Sequence, residues 1–275
     1  MEDKNNKDGI NSNNNLNITN ANNNSSSDKG KEIENIREMR KFLNKEDNVL
    51  GRVEKFGLRF TRKYIKNILD NNIRLYYTNI KTADTNNTQI IANLCIVHGF
   101  GHYSQEFYEM AYFLAKNGVN CHLIDLRGHG YSGGCRFDWT IEDMHTDILT
   151  LIKQAEADGV DLPIYIFAHS LGGGMVTSLF INNQYLQVNG IILSAPLLGL
   201  PMNANLDSAK TFVLSRVGTH LREFVINGNI NPSDLCKDER EIIRILNDRR
   251  IIPLATPRTF RSIVKNSLRV LENCR

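Results

Sequence analysis

The sequence is poor in cysteine, net charge and long apolar runs, and each shortage excludes a class of protein. Its five cysteines are odd in number and form no Cys-x-x-Cys pair, which argues against a disulfide scaffold or a zinc site and favours a reducing compartment. A net charge of +3 is too small to indicate a nucleic-acid partner. No stretch approaches the roughly 20 apolar residues of a membrane-spanning helix, and the polar N-terminus lacks the apolar core of a signal peptide. We therefore expect a cytoplasmic protein that meets membranes, if at all, from their surface.

Residues 1–30 are dominated by Asn, with Ser, Asp and Lys. A segment of this composition buries too little apolar surface to offset its ordering entropy, so it is predicted to be disordered. Residues 31–60 are charged, and Ile33, Ile36 and Met39 recur at helical spacing. This pattern predicts a short amphipathic lead-in to the folded part of the chain.

From about residue 62 the pattern becomes regular. Two β-rich runs, Arg62–Ile68 and Ile73–Ile80, flank Asp70-Asn71-Asn72 and predict a hairpin. Strands and helices then alternate: strand Ile90–Val97, helix Gln105–Lys116, strand Asn120–Asp125, helix Ile141–Ala157, strand Ile164–Phe167, helix Leu171–Ile181 and strand Gly190–Ser194. Apolar strands between amphipathic helices indicate a doubly wound, mostly parallel sheet that is covered on both faces.

After Pro196 the alternation stops. Residues 203–252 predict helices, Ser208–Arg222 and Asp238–Asn247, with no strand between them, which is typical of a helical cap inserted over a site. A last helix is predicted over Pro257–Glu272.

The most informative stretch is Ala168-His169-Ser170-Leu171-Gly172-Gly173, directly after a predicted strand and at the start of a predicted helix. This context is typical of a nucleophile elbow, in which a sharp turn exposes a serine hydroxyl. The usual motif is Gly-x-Ser-x-Gly; Ala168 replaces its first glycine with another small residue. His98-Gly99-Phe100-Gly101 ends an earlier strand, and such a glycine-rich turn lets backbone N–H groups point into a cleft.

A third motif, Asp125 to Gly134, contains Gly128-x-Gly130-x-x-Gly133. This spacing raises the alternative of a nucleotide-dependent oxidoreductase. The residues after Gly134 do not predict a helix that opens onto a pyrophosphate, and no acidic residue ends a next strand about 20 residues later. A dinucleotide site is therefore not favoured, and we predict no cofactor and no metal.

Together these three motifs resemble the monoacylglycerol lipase and lysophospholipase group of α/β-hydrolases, the serine aminopeptidase S33 family. The loop His98 to Ser104 is similar to that family's HGxGEHS-type loop, and Asp125–Gly134 to its D-x-x-GHG-x-S-x-G segment. Ser194-Ala195-Pro196 resembles a strand end of the family, and Leu235–Pro253 its cap.

The resemblance implies an α/β-hydrolase fold and hydrolysis of esters of single-chain lipids, such as lysophospholipids or monoacylglycerols. It implies that Ser170 is the nucleophile and that the N–H groups of Phe100 and Leu171 form the oxyanion hole. It also implies membrane-surface contact through the cap. The expected organisation is a disordered tail (1–30), a lead-in (31–60), a hydrolase core (61–202), a cap (203–252) and a return helix of the core (253–275).

The acid and base of a Ser-His-Asp triad are missing from the motifs. The family order places Asp and then His after Ser170 on later strands, and nothing up to Arg275 matches those strands. Asp207 and His220 follow Ser170 but belong to the predicted cap, whereas His98, His129 and His169 lie in the turns and are expected to bond backbone groups there. We therefore expect this sequence to lack the closing strands, as a truncated hydrolase does. The alternative is an inactive hydrolase-fold protein that binds a lipid or a protein partner.

Overall fold

A computed structural model of the chain describes residues 57–83, 88–158, 161–183, 185–199, 224–228 and 230–273. The Asn-rich tail, most of the lead-in and the predicted helix Ser208–Arg222 lie outside these ranges.

Six strands form one sheet in the order β1-β2-β4-β3-β5-β6. They are β1 (Leu58–Lys66), β2 (Arg74–Thr82), β3 (Ala92–Val97), β4 (Val119–Ile124), β5 (Ile164–His169) and β6 (Gly190–Ser194). β1 and β2 form the predicted antiparallel hairpin, and β2 is antiparallel to β4. The remaining pairs are parallel, as the alternation of strands and helices predicts.

The helices follow the predicted order. They are α1 (Tyr108–Lys116), α2 (Ile141–Asp158), α3 (Leu171–Asn182), α4 (Pro232–Leu235), α5 (Glu239–Asn247) and α6 (Pro257–Asn273). The turn before α1, Ser104–Phe107, is a 3-10 helix. A bilayer-crossing helix would have to be longer and more apolar than any helix in the described ranges.

The expectation of no strand within residues 203–252 is wrong at one point. β7 (Ile226–Asn227) pairs antiparallel with β8 (Leu254–Ala255). A strand of two residues is too short to show the alternation by which strands are recognised. Its partner also lies outside the segment, so no local pattern could have revealed the pairing.

The central strands β3 and β4 are buried on both faces, and their side chains alternate between the two faces. In β3, Leu94 and Ile96 face a cluster that includes α1, whereas Cys95 and Val97 face a cluster that includes α2 and α3. Successive side chains of a strand point to opposite faces, so a central strand of a covered sheet is apolar at every position. The buried thiols of Cys95 and Cys121 serve here as small apolar groups, as predicted.

Helix α6 packs against α2 and α3 and fixes the start of α2. The N–H of Trp139 donates to Oγ1 of Thr259 at 2.8 Å, and the N–H of Ile141 donates to Oγ of Ser262 at 2.8 Å. The first N–H groups of a helix have no partner within that helix. The hydroxyl groups of α6 therefore supply acceptors next to the fully buried Trp139.

β6 is an edge strand among the described residues, since it pairs with β5 alone. Its apolar side chains Ile191, Ile192 and Leu193 are 37%, 52% and 39% exposed.

A buried ion pair ties the strand ends to α2. Asp147 is fully buried and accepts hydrogen bonds from Arg127 at 2.8 Å, through both the backbone N–H and the guanidinium Nη2. Asn67 donates to the same carboxylate at 2.7 Å. These contacts join the turn after β1, the loop after β4 and the middle of α2.

A second polar network lies inside the sheet. The hydroxyl of Tyr77 donates to Nδ1 of His122 at 2.7 Å, and Nε2 of His122 donates to Oδ1 of Asn93 at 3.0 Å. The contact with Oδ1 of Asn93 places a ring proton on Nε2, and a neutral imidazole with that proton accepts at Nδ1. Burial lowers the pKa of His122 from 6.5 to about 4.

Replacing Asp147 with Asn should destabilise the chain strongly, because the Arg127 guanidinium would then be buried without a counter-charge. We expect the free energy of unfolding to fall by about 3–5 kcal/mol in urea denaturation. Asp143→Asn is the matched control, because Asp143 also contacts Arg127, at 3.3 Å, but is 34% exposed. It should cost less than about 1 kcal/mol. Equal losses for the two variants would contradict the assignment.

The depressed pKa of His122 should make the protein less stable in mild acid. The unfolded chain takes up a proton near pH 6.5, whereas folded His122 takes it up only near pH 4. The free energy of unfolding should therefore fall as the pH drops through this window, by about 1.4 kcal/mol per pH unit for each such histidine. His122→Gln should show a shallower fall than the parent chain in urea titrations at each pH. Identical pH profiles would contradict the prediction.

Candidate active site

Ser170 occupies the turn between β5 and α3 in a strained backbone conformation. Its φ is 53° and its ψ is −123°, a region that residues other than glycine rarely adopt. Its N–H donates to the carbonyl of Ser194 at 2.9 Å, and its own carbonyl accepts from the N–H groups of Gly173 and Leu197 at 2.9 and 2.8 Å. The end of β6 and the loop after it therefore hold the turn in place, and the Ser170 side chain remains partly exposed.

Glycines surround this turn because backbone segments meet there without room for side chains. A Cβ on Gly99 would lie 3.0 Å from Cβ of Ser170 and 3.5 Å from its Oγ. A Cβ on Gly172 would lie 2.5 Å from the carbonyl oxygen of His98, and one on Gly174 would lie 2.3 Å from that of Leu197. Ala168, where the usual motif has glycine, is completely buried, as expected for a small residue.

The candidate oxyanion donors are the N–H groups of Phe100 and Leu171, which are next in sequence to Gly99 and Ser170. Phe100 follows Gly99, and Leu171 follows Ser170 and begins α3. Neither N–H has a hydrogen-bond acceptor within the described part of the chain. Leu171 lies at the start of α3, where free N–H groups favour negative charge, whereas the N–H of Phe100 lies in the glycine-rich loop after β3. The Phe100 ring packs edge-on against Trp139 with ring centroids 6.3 Å apart.

Two of the turn histidines serve the backbone, as predicted. Nδ1 of His98 donates to the carbonyl of Gly99 at 2.9 Å, and its Nε2 accepts from the N–H of Leu126 at 2.9 Å. Nδ1 of His129 donates to the carbonyl of Arg127 at 3.0 Å. Burial lowers the pKa of His129 to about 4 and that of His98 well below 6.5. Both rings thus stay neutral and support the loops.

The third turn histidine contacts Ser194. Nδ1 of His169 lies 3.3 Å from Oγ of Ser194, and a backbone hydrogen bond with the same residue also acts on the ring. Burial lowers its pKa as well.

The glycine-rich segment after β4 is organised around Asp125. This buried carboxylate accepts from the N–H groups of Ser104 and Tyr131, both at 2.8 Å. The N–H of Gly128 donates to the carbonyl of Gly133, and that of Gly133 to the carbonyl of Arg74. Two of the three motif glycines thus have their N–H groups engaged inside the protein, where they cannot bind a pyrophosphate. In the described ranges, no group of three or more His, Cys, Asp or Glu side chains is arranged to hold a metal ion.

No general base contacts the candidate nucleophile in the described ranges. Oγ of Ser170 has no hydrogen-bond partner there. Asp207 and His220 lie outside those ranges, so their relation to Ser170 is not described.

The structure adds residues to the site that the sequence does not reveal. Ile252 donates its N–H to the carbonyl of Gly101 at 2.9 Å, and a Cβ on Gly101 would lie 2.7 Å from Cα of Pro253. A Cβ on Gly228 would lie 2.9 Å from the Phe100 ring. These residues are far from Phe100 in sequence. The one signal in the sequence is the glycine at residue 228, because a glycine allows another group to pack closely against the backbone. We name residues 230–253 the outer segment.

The outer segment also borders a small apolar cleft. The cleft has a volume of about 160 Å³ and is lined by His102 and by side chains that include Ile230, Leu235 and Ile245. It lies beside the loop that carries Phe100.

Known proteins resemble the chain in sequence and in fold. Monoglyceride lipase of Mus musculus is 28% identical over 158 residues, which cover 55% of this chain and 49% of that protein. A solved structure of a soluble variant of monoglyceride lipase from Saccharomyces cerevisiae, in complex with a substrate analog, has a TM-score of 0.66 at 16% identity and covers 77% of this chain and 69% of that one. A Paleococcus ferrophilus monoacylglycerol lipase structure has a TM-score of 0.60 at 22% identity, with 72% of each chain covered.

The chain spans about half the length or less of the first curated relatives that it matches. Its fold is that of the α/β-hydrolases. The family model described as serine aminopeptidase, S33, matches residues 88–275, which include the Ser170 turn and the loop of Phe100. By this match over more than half of its length, the chain belongs to the serine aminopeptidase S33 family.

Proposed function

We propose that this chain carries the nucleophile and oxyanion hole of a serine hydrolase that cleaves esters of single-chain lipids. The observation that carries the proposal is the turn at Ser170, where a strained serine between strand and helix faces the side-chain-free backbone of Gly99. Such a turn holds a hydroxyl exposed at the carboxyl end of a parallel sheet, where substrates of this architecture bind.

In this reaction Oγ of Ser170 attacks the ester carbonyl carbon and gives up its proton to a base. The carbonyl oxygen becomes an oxyanion, which accepts hydrogen bonds from the N–H groups of Phe100 and Leu171. The C–O bond to the alcohol then breaks, the alcohol leaves with a proton, and water releases the fatty acid from the acyl-serine. The base for this proton is not among the described contacts of Ser170.

The proposed substrate class is a monoacylglycerol or a lysophospholipid. The relatives whose names specify monoglyceride or monoacylglycerol lipases support it. The apolar cleft beside His102 could hold an apolar group of the substrate next to the loop that carries Phe100, which also supports this substrate class. Leu235 and Leu246 line this cleft and are 55% and 68% exposed, which further supports contact between this part of the outer segment and a membrane surface.

A second candidate is a protein that binds its ligand without turnover. The observation that favours it is the free Oγ of Ser170, which no histidine contacts in the described ranges. Loss of a triad histidine costs on the order of a million-fold in kcat in a serine protease. Activity therefore separates the two candidates.

Ser170→Ala should abolish covalent labelling by a fluorophosphonate and hydrolysis of monoacylglycerol or lysophosphatidylcholine by the full chain. The reason is that alanine has no hydroxyl to attack phosphorus or carbon. Labelling is read by intact mass, and fatty-acid release by mass spectrometry. Thr61→Ala removes an exposed hydroxyl on β1, at the opposite edge of the sheet; it is the matched control and should behave as the parent chain does. A parent chain that is neither labelled nor active would favour the binding protein. If the parent chain is active, the ratio of its rates on monoacylglycerol and lysophosphatidylcholine identifies the preferred substrate class.

Gly99→Ala should reduce turnover far more than Phe100→Ala. A Cβ at residue 99 would lie 3.0 Å from Cβ of Ser170, so the loop must shift and its N–H donor with it. We expect kcat to fall by about 10²-fold or more, the cost of losing one oxyanion donor. Phe100→Ala keeps the N–H, so kcat should stay within about fivefold while preference for acyl-chain length changes. Steady-state kinetics on esters of two chain lengths measure both; equal losses would contradict the backbone role.

A further inference from the structure

The loop that carries Phe100 is held on its inner side by the core. Gly99 lies against Ser170, and the N–H of Ser104 donates to the buried carboxylate of Asp125. The short 3-10 helix Ser104–Phe107 follows at once, so residues 98–107 form one continuous unit. We name these residues the Phe100 loop.

On its outer side the same loop is bound by a buried ion pair. Arg244 of α5 is 5% exposed, and its guanidinium forms a two-pronged contact with Glu106, with Nη1 donating to Oε1 at 2.7 Å and Nη2 to Oε2. Glu241, one turn earlier on α5, accepts from Nε of the same arginine. Burial acts to raise the pKa of Glu106, but the nearby His102 ring and the hydrogen-bonded Arg244 guanidinium lower it to about 2. The pair is therefore charged across the physiological range.

Further contacts run along the same side of the loop. The hydroxyl of Tyr103 donates to Oδ2 of Asp248 at 2.5 Å, and the Arg250 guanidinium lies 4.9 Å from the centroid of the Tyr103 ring. Ile252 donates to the carbonyl of Gly101. Between Gly101 and Glu106, the loop is thus bound by Asp125 on the side of the core and by the outer segment on its other side.

We propose that Arg244 is a positioning residue for the oxyanion hole: by holding Glu106, it fixes the Phe100 loop and thereby the Phe100 N–H beside Ser170. The proposal rests on the proposed function. It assigns to α5 a role in the chemical step, in addition to covering the site.

Removal of the guanidinium would deprive Glu106 of its main partner. The carboxylate would keep His102, 3.8 Å away, as its nearby basic group, and would stay largely shielded from water. A buried carboxylate that loses its partner must take up a proton or move toward solvent. Movement of Glu106 shifts the Phe100 loop, and a displacement of about 1 Å in a catalytic group can cost 10²-fold in rate.

The test compares Arg244→Gln with Arg240→Gln in the full chain. Arg240 lies one turn earlier on α5 with a side chain that is 73% exposed, so it controls for loss of positive charge on the same helix. Arg244→Gln should lower kcat and the rate of Ser170 phosphonylation by about tenfold or more, with KM within about twofold, because transition-state stabilisation is lost. Arg244→Lys should recover part of kcat. Lower stability of Arg244→Gln with unchanged kcat would overturn the proposal.

A second measurement reads the loop itself and needs no activity. Hydrogen exchange of the backbone amides of residues 99–104 should be faster in Arg244→Gln than in Arg240→Gln, with exchange in β3 and β5 unchanged. The charge swap Glu106→Arg with Arg244→Glu should slow it again. A parent chain that neither reacts with the fluorophosphonate nor hydrolyses ester refutes the proposed function, and unchanged loop exchange refutes the role of Arg244.

Discussion

The close approach of backbone segments at Ser170 is the constraint on which the rest of the structure depends. The end of β3, the start of α3 and the loop after β6 meet where glycines leave no side chains between them. Hydrogen bonds from Gly173 and Leu197, and to Ser194, then hold a serine at a φ of 53°. Strain of this kind, of order 1–3 kcal/mol, persists only where the surroundings over-determine it. Both the exposed hydroxyl and the free N–H groups beside it follow from this geometry.

Local patterns in the sequence were sufficient to predict the core elements. β6 has the predicted bounds, Gly190–Ser194, and α2 ends one residue beyond the predicted Ala157. The turn at Ser170 was predictable because its strand, its serine and its glycines are consecutive. The roles of Ser170, Phe100 and Leu171 remain predictions until they are tested by activity.

Contacts between distant parts of the chain could not be read from the same patterns. Arg244 and Glu106 are 138 residues apart, and each alone resembles an ordinary charge on a helix surface. The strand pair β7–β8 and the contact of Gly228 with Phe100 are of the same kind. A charged side chain that is buried must pair with an opposite charge, whereas an exposed one is solvated. Whether a side chain is buried depends on the tertiary structure and cannot be read from the local sequence.

The position of β6 links the geometry of the serine to an edge strand of the sheet that the described residues form. The carbonyl of Ser194 ends this strand and anchors the turn, while Leu197 anchors it from just beyond. Strands at an edge open locally at a lower free energy than central ones. When β6 frays, Ser170 loses its anchors and can relax to an ordinary turn. The strained conformation of Ser170 therefore depends on the pairing of β6 with β5 as well as on the residues of the turn itself.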